Sequence, residues 1–91
     1  MPRKHLVFHG RVQGVGFRAT AQSLAKQHSL KGWVKNKEDG SVELEAEGED
    51  QALQSFYEEI KEDPSPFIKI ETIDEQDYEE EKGHQNFKVL Y

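Results

Sequence analysis

The sequence predicts an α+β fold in which two helices pack on one face of a mixed or antiparallel sheet, in the order βαββαβ with a short closing strand. Three observations predict it. Apolar residues alternate in four separate stretches, two other stretches repeat at helical spacing, and Asp39-Gly40 falls between the second and third strands, where a hairpin needs its turn.

From Lys4 to Val12, the residues Leu6, Phe8, Gly10 and Val12 alternate with His5, Val7, His9 and Arg11, giving a strand with one more apolar face. Gln13-Gly14-Val15-Gly16 follows as a glycine-punctuated loop. Phe17, Ala21, Leu24 and Ala25 then recur at i, i+4, i+7 and i+8 without an intervening proline, so the spacing predicts a helix from Phe17 to about His28. Lys31 to Lys37, with Trp33 and Val34, reads as the second strand. Beyond the turn, Ser41 to Glu47 places Val42, Leu44 and Ala46 inward and Glu43, Glu45 and Glu47 outward. Asp50 is the expected N-cap of a second helix, whose apolar positions are Leu53, Phe56, Tyr57 and Ile60 and whose end is set by Pro64 and Pro66. Ile68, Ile70 and Thr72 mark a fourth strand, the acidic run through Glu79, Glu80 and Glu81 a solvated loop, and Phe87, Val89 and Tyr91 the closing strand. This is the ferredoxin-like, split-βαβ sandwich.

The chain has 91 residues, 34% of them hydrophobic and 33% charged, and no cysteine. Residues 1–91 are expected to form one domain, which buries roughly two thirds of its unfolded surface and needs no staple. Leu, Ile, Val and Phe supply about 23% of the chain, above the level of roughly 20% below which disorder is the default. The lack of cysteine removes disulfide frameworks, zinc–thiolate sites and thiol nucleophiles, and with them the thiol-dependent phosphatases and redox proteins. Near the start, Leu6-Val7-Phe8 is too short a run for a signal-peptide core or a membrane span, so the expected compartment is the cytoplasm, with no membrane partner.

The net charge of -6 hides an asymmetry. Residues 1–37 hold eight Lys and Arg and no acid, whereas residues 38–91 hold all 18 acids and four lysines. A basic half suits nucleic acid, a smaller anion or a merely polarised surface. The third strand argues against RNA, because its outward Glu43, Glu45 and Glu47 would repel a phosphate backbone where an RNA-binding sheet displays aromatics. No metal site is expected either. His5 and His9 stand about 13 Å apart on one strand and cannot grip one ion, His28 and His84 have no ligand-like spacing, and all four are expected at the surface.

Gly14-Val15-Gly16-Phe17-Arg18-Ala19 fits the G-x-G-x-x-A pattern of dinucleotide sites, but here the chain returns through a hairpin rather than a second crossover helix. No Gly-Lys-Ser/Thr follows the glycines, so a P-loop is absent, and no serine sits in a nucleophile elbow. What remains is the loop itself. Backbone N–H groups freed by glycines and aimed, with a helix N-terminus, at one spot make a site for one phosphate-sized anion. An arginine in that first turn opposes the helix dipole, so Arg18 implies a compensating anion, whose oxygens its planar fork can hold in pairs. The alternative is a surface arginine beside a tight turn.

Gly10-Arg11-Val12-Gln13-Gly14-Val15-Gly16-Phe17-Arg18, followed by Gly32-Trp33-Val34-Lys35-Asn36 and Asp39-Gly40-Ser41-Val42, closely resembles the acylphosphatase family. These blocks lie within about the first half of the chain, and the element order and the closing Phe87-x-Val89-x-Tyr91 agree over the rest. The resemblance implies a hydrolase that cleaves carboxyl–phosphate anhydrides to a carboxylate and inorganic phosphate, without metal or cofactor. It also implies that Gln13, Gly14, Val15, Gly16, Phe17 and Arg18 cradle the phosphate, that Arg18 binds the phosphoryl group and that Asn36 positions the attacking water. The expected partner is thus a small-molecule acyl phosphate, acted on by a monomer.

The residue chemistry is consistent with that. An amide such as Asn36 cannot be a general base and can only orient water, so the proton must pass to the substrate phosphate or to solvent. With no evident acid, the leaving group must depart unaided, which a carboxylate does and an alkoxide does not. The alternative reading is a non-catalytic anion-binding regulatory domain of the same fold, which would need Arg18 and the glycines but no amide at position 36. Two departures from the family pattern stand out. Ser29-Leu30 occupies the place of a frequent Gly-Leu after the first helix, and Ala21 precedes Gln22 where relatives often carry Thr.

Overall fold

The computed structural model describes residues 1–62 and 64–91. Its elements are β1 (Arg3–Arg11), α1 (Phe17–Gln27), β2 (Lys31–Asn36), β3 (Val42–Glu47), α2 (Asp50–Ile60), β4 (Lys69–Tyr78) and β5 (Phe87–Leu90). The strands form one mixed sheet in the order β4-β1-β3-β2-β5. Every neighbouring pair is antiparallel except β2 and β5, which run parallel.

The two helices lie on one face because their apolar stripes and the alternating strand residues bury one another. In β1 and β3, Leu6 stands opposite Leu44 and Phe8 opposite Val42. These four residues and Phe17, Ala21, Ala25, Leu53, Phe56 and Ile60 from the helices are all within 3% of complete burial. Phe8 and Phe17 meet edge to face, with centroids 4.9 Å apart at 61°, an arrangement that adds about 0.5–1.5 kcal/mol to simple burial. It also fixes the start of α1 against the central strand. Among the described residues, no helix is long and apolar enough to cross a membrane.

Three expectations need correction. The N-cap of α2 is Glu49, whose carbonyl accepts the Leu53 N–H at 2.9 Å; Asp50 is already helical, and no side chain closes the cap. Asp50 still opposes the positive end of the dipole from the first turn. In β4, a register shift opposite His9 and Gly10 inserts one residue, so Ile70 faces Gly10 and Ile73 faces Phe8. Thr72, grouped with Ile68 and Ile70 by its alternation, is exposed, and Ile73 packs on the core instead.

The third correction concerns β3. Glu45 and Glu47 do turn away from the helices, but they are only 2% and 4% exposed. The connection from β4 to β5 must pass from one edge of the sheet to the other, and it crosses the helix-free face over these two carboxylates. The four histidines are partly exposed, and each stands beside a carboxylate: His5 lies 2.7 Å from Glu43, His9 2.9 Å from Asp74, His28 3.2 Å from Glu59 and His84 2.7 Å from Glu45.

Candidate active site

The loop after β1 enters α1 through Gly14 and Gly16, both left-handed at φ 73° and 79°. A side chain at either position would carry the left-handed strain of an L-residue, whereas glycine adopts it freely. Gly16 is the N-cap, and having no side chain it leaves the first turn uncapped. The first intrahelical bond runs from Thr20 N–H to the Gly16 carbonyl at 3.1 Å, so the amides of Phe17, Arg18 and Ala19 precede the helical ladder. No acidic residue occupies that turn. The positive end of α1 is therefore uncompensated from within its own helix.

Beside this turn a cleft of about 720 Å³ opens between α1 and β5. Gly14, Gly16, Phe17, Arg18 and Asn36 line it. Lys26 and Lys88 also border it, and among the described residues no Asp or Glu does, although the chain as a whole carries a net charge of -6. Among the described residues, the charged side chains that line the cleft are all basic.

Arg18 reaches across to β5. Its Nη1 donates to the Leu90 carbonyl at 3.1 Å, and its guanidinium carbon lies 4.8 Å from the centre of the Tyr91 ring. One edge of the fork is thereby held, and the other N–H groups stay available to a ligand.

Gln13 and Val15, counted with the cradle on the sequence, do not line the cleft. Val15 packs against the hydrophobic core. The Gln13 amide instead donates to two carbonyls of the β2–β3 hairpin, Lys37 at 2.7 Å and Ser41 at 2.9 Å. Asn36 is the last residue of β2, opposite Val42, and so stands at the foot of that hairpin. Gln13 thus sets the distance between the glycine loop and the strand that presents Asn36. The hairpin turn is closed by Asp39, whose carboxylate accepts the Ser41 hydroxyl and the Ser41 N–H. Those bonds, the hydroxyl first, hold the Asp39 carboxyl below its ordinary value.

Sequence reasoning missed Gln22, Lys26 and the β5 residues at the cleft. Gln22 and Lys26 follow Arg18 at i+4 and i+8, so the helical period already placed them on its face. Gln22 donates to the Phe87 carbonyl at 3.0 Å, tying α1 to β5 a second time. Nothing local signalled that β5 would lie alongside, because that placement comes from sheet order. Among the described residues, no group of three or more His, Cys, Asp or Glu is arranged to hold a metal ion.

Fold and cleft together define an α+β sandwich with a cationic pocket at a helix N-terminus, chemistry suited to one phosphate-sized anion. The acylphosphatase family model matches residues 4–89, and the chain belongs to the acylphosphatase family. It is 45% identical to an acylphosphatase of Bacillus subtilis, over 100% of this chain and 99% of that one. The crystal structure of acylphosphatase from Bacillus subtilis superposes with a TM-score of 0.95 at 45% identity, covering all of both chains. The structure of an acylphosphatase from Coxiella burnetii, 32% identical, gives 0.87 and covers 97% of this chain and 90% of that chain.

Proposed function

We propose that this protein hydrolyses carboxyl–phosphate anhydrides, and that Arg18 and Asn36 carry the reaction without metal or cofactor. The observation that carries the reading is the juxtaposition, in one cleft whose charged side chains are all basic among the described residues, of an uncapped helix N-terminus, Arg18 and Asn36. The phosphoryl oxygens accept from the backbone N–H groups of Gly14, Gly16, Phe17, Arg18 and Ala19 and from the free edge of the Arg18 fork. Asn36 orients a water in line with the P–O bond to the acyl group. The water oxygen bonds to phosphorus, the electron pair of the breaking bond leaves on the carboxylate, and the water's proton passes to a phosphate oxygen or to solvent.

Gln13 serves the reaction indirectly, by holding the hairpin that bears Asn36 against the glycine loop. With no His, Asp or Glu side chain lining the cleft among the described residues to protonate a leaving group, the substrate class is restricted to acyl phosphates. Rate enhancement comes from positioning and fixed charge. Residues 1–91 act as one domain, as a monomer in the cytoplasm, and sedimentation of the purified protein checks the monomer.

Phosphate release from a synthetic acyl phosphate in the presence of EDTA tests the proposal. Turnover should be unaffected by chelator, and a simple alkyl phosphate should be nearly inert. Loss of activity with chelator, or comparable turnover of the alkyl ester, would overturn it.

A further inference from the structure

The helix-free face of the sheet buries two carboxylates that the reaction does not touch. Glu47 takes all its hydrogen bonds from backbone: the Lys82 N–H donates to Oε1 at 2.8 Å, and the Gly83 and His84 N–H groups donate to Oε2 at 3.0 and 2.8 Å, with the His84 ring Nε2 3.9 Å from Oε1. Three consecutive amides on one carboxylate form a nest, and each bond is charge-assisted. Beside it, Glu45 accepts Arg3 Nη1 at 3.0 Å, with His84 Nε2 at 2.7 Å and Lys82 Nζ at 3.7 Å. The segment so gripped has no regular secondary structure of its own.

That segment leads directly into β5. Asn86 accepts the Gly32 N–H at 2.9 Å, and β5 then pairs with β2 alone, as an edge strand of four residues. From this short strand come the Phe87 carbonyl that holds Gln22 and the Leu90 carbonyl that holds Arg18. Four residues paired on one side give a weak element, so its position depends on how its entrance is anchored.

We propose that Glu47 is a positioning residue for Arg18, acting through the 82–84 segment and β5. The inference rests on the reading of Arg18 as the phosphoryl clamp. A carboxylate under the sheet and an arginine in the cleft above it are joined by one continuous run of chain, so loosening the first displaces the acceptor that aims the second.

A double-mutant cycle on Glu47→Gln and Arg18→Lys tests it, reading kcat, KM and competitive inhibition by inorganic phosphate, with circular dichroism confirming that each variant is folded. The glutamine keeps the shape but turns an NH₂ group toward N–H donors. Glu47→Gln should lower kcat/KM about tenfold and weaken phosphate inhibition by a similar factor, a range consistent with a sub-ångström displacement of a catalytic group. In the Arg18→Lys background the same change should alter phosphate inhibition less than about twofold, because the geometry it protects is already lost. Should the glutamine variant not fold, Glu47→Asp, which keeps the charge and shortens the reach by one methylene, takes its place in the cycle. Unchanged phosphate inhibition in the folded Glu47 variant, or effects that multiply fully, would overturn the inference while leaving the clamp intact. An Arg18→Lys protein with unaltered inhibition would overturn the clamp reading itself, and this inference with it.

Discussion

Arg18 Nη1 and the carbonyl of Leu90 are joined at 3.1 Å across 72 positions of sequence. The first turn of α1 and the last strand of the sheet therefore share one side chain, and the cleft lies where they meet. A guanidinium tethered on one edge has its rotamers restricted before any ligand arrives, which suits the proposed role of Arg18 as a clamp.

This tether predicts that Arg18→Lys keeps the fold and loses most activity. A lysine offers one point charge in place of a planar fork and cannot both bond Leu90 and grip two phosphoryl oxygens. Steady-state kinetics with phosphate as competitive inhibitor should show kcat/KM reduced by about 10²-fold or more and inhibition weakened, while thermal unfolding changes little.

Gln13 gives a second prediction. Removing its amide in Gln13→Ala leaves the Lys37 and Ser41 carbonyls without that donor and frees the hairpin from the glycine loop. Stability should fall by about 1–2 kcal/mol in urea unfolding. Because the hairpin presents Asn36, kcat should drop more than phosphate affinity, which separates this variant from Arg18→Lys.

The end of α1 gives a third. Leu30 N–H bonds the Ala25 carbonyl at 2.9 Å and Ser29 N–H the Lys26 carbonyl at 3.1 Å, a Schellman closure with Ser29 at φ 57°. A non-glycine residue in that conformation carries about 1–2 kcal/mol of strain, partly offset by its lower entropy when unfolded. Ser29→Gly should stabilise by about 0.5–1 kcal/mol in chemical denaturation, with activity unchanged.

Acid sensitivity gives a fourth. Burial pushes the Glu45 carboxyl up, but the His84 contact and the charges of Lys82 and Arg3 outweigh it and hold the group below its ordinary 4.5. A carboxyl whose folded value is depressed stabilises the fold above its unfolded value and loses that contribution as pH falls through the folded one. Wild type should therefore exceed Glu45→Gln in melting temperature near neutrality, and the gap should close as pH drops below about 4. A gap that widens toward acid would contradict the assignment.

Much of the molecule was legible because its signals are local. Alternation in β1, the stripe from Phe17 to Ala25 and the Asp39-Gly40 turn each follow from spacing a few residues long, and the structure contains all three. Glu45 and Glu47 were misread for the opposite reason. Alternation tells which face a residue takes, and it cannot tell that a connection forced across the sheet will cover that face. Gln13 shows the same limit at the site: its place beside the glycines was evident, but its bonds to Lys37 and Ser41 depend on a hairpin 24 and 28 positions away. Thr72 fell out of phase because one inserted residue in β4 reverses every later side chain.

The central claim, that a water oriented by Asn36 attacks a phosphoryl group held by Arg18, is tested most directly at Asn36. In Asn36→Ala, folded by circular dichroism, kcat on an acyl phosphate should fall by about 10²–10³, the range for losing one preorganised catalytic donor, while the inhibition constant of inorganic phosphate stays nearly constant. A folded Asn36→Ala protein with unimpaired kcat would contradict the account and leave only a cleft that binds anions.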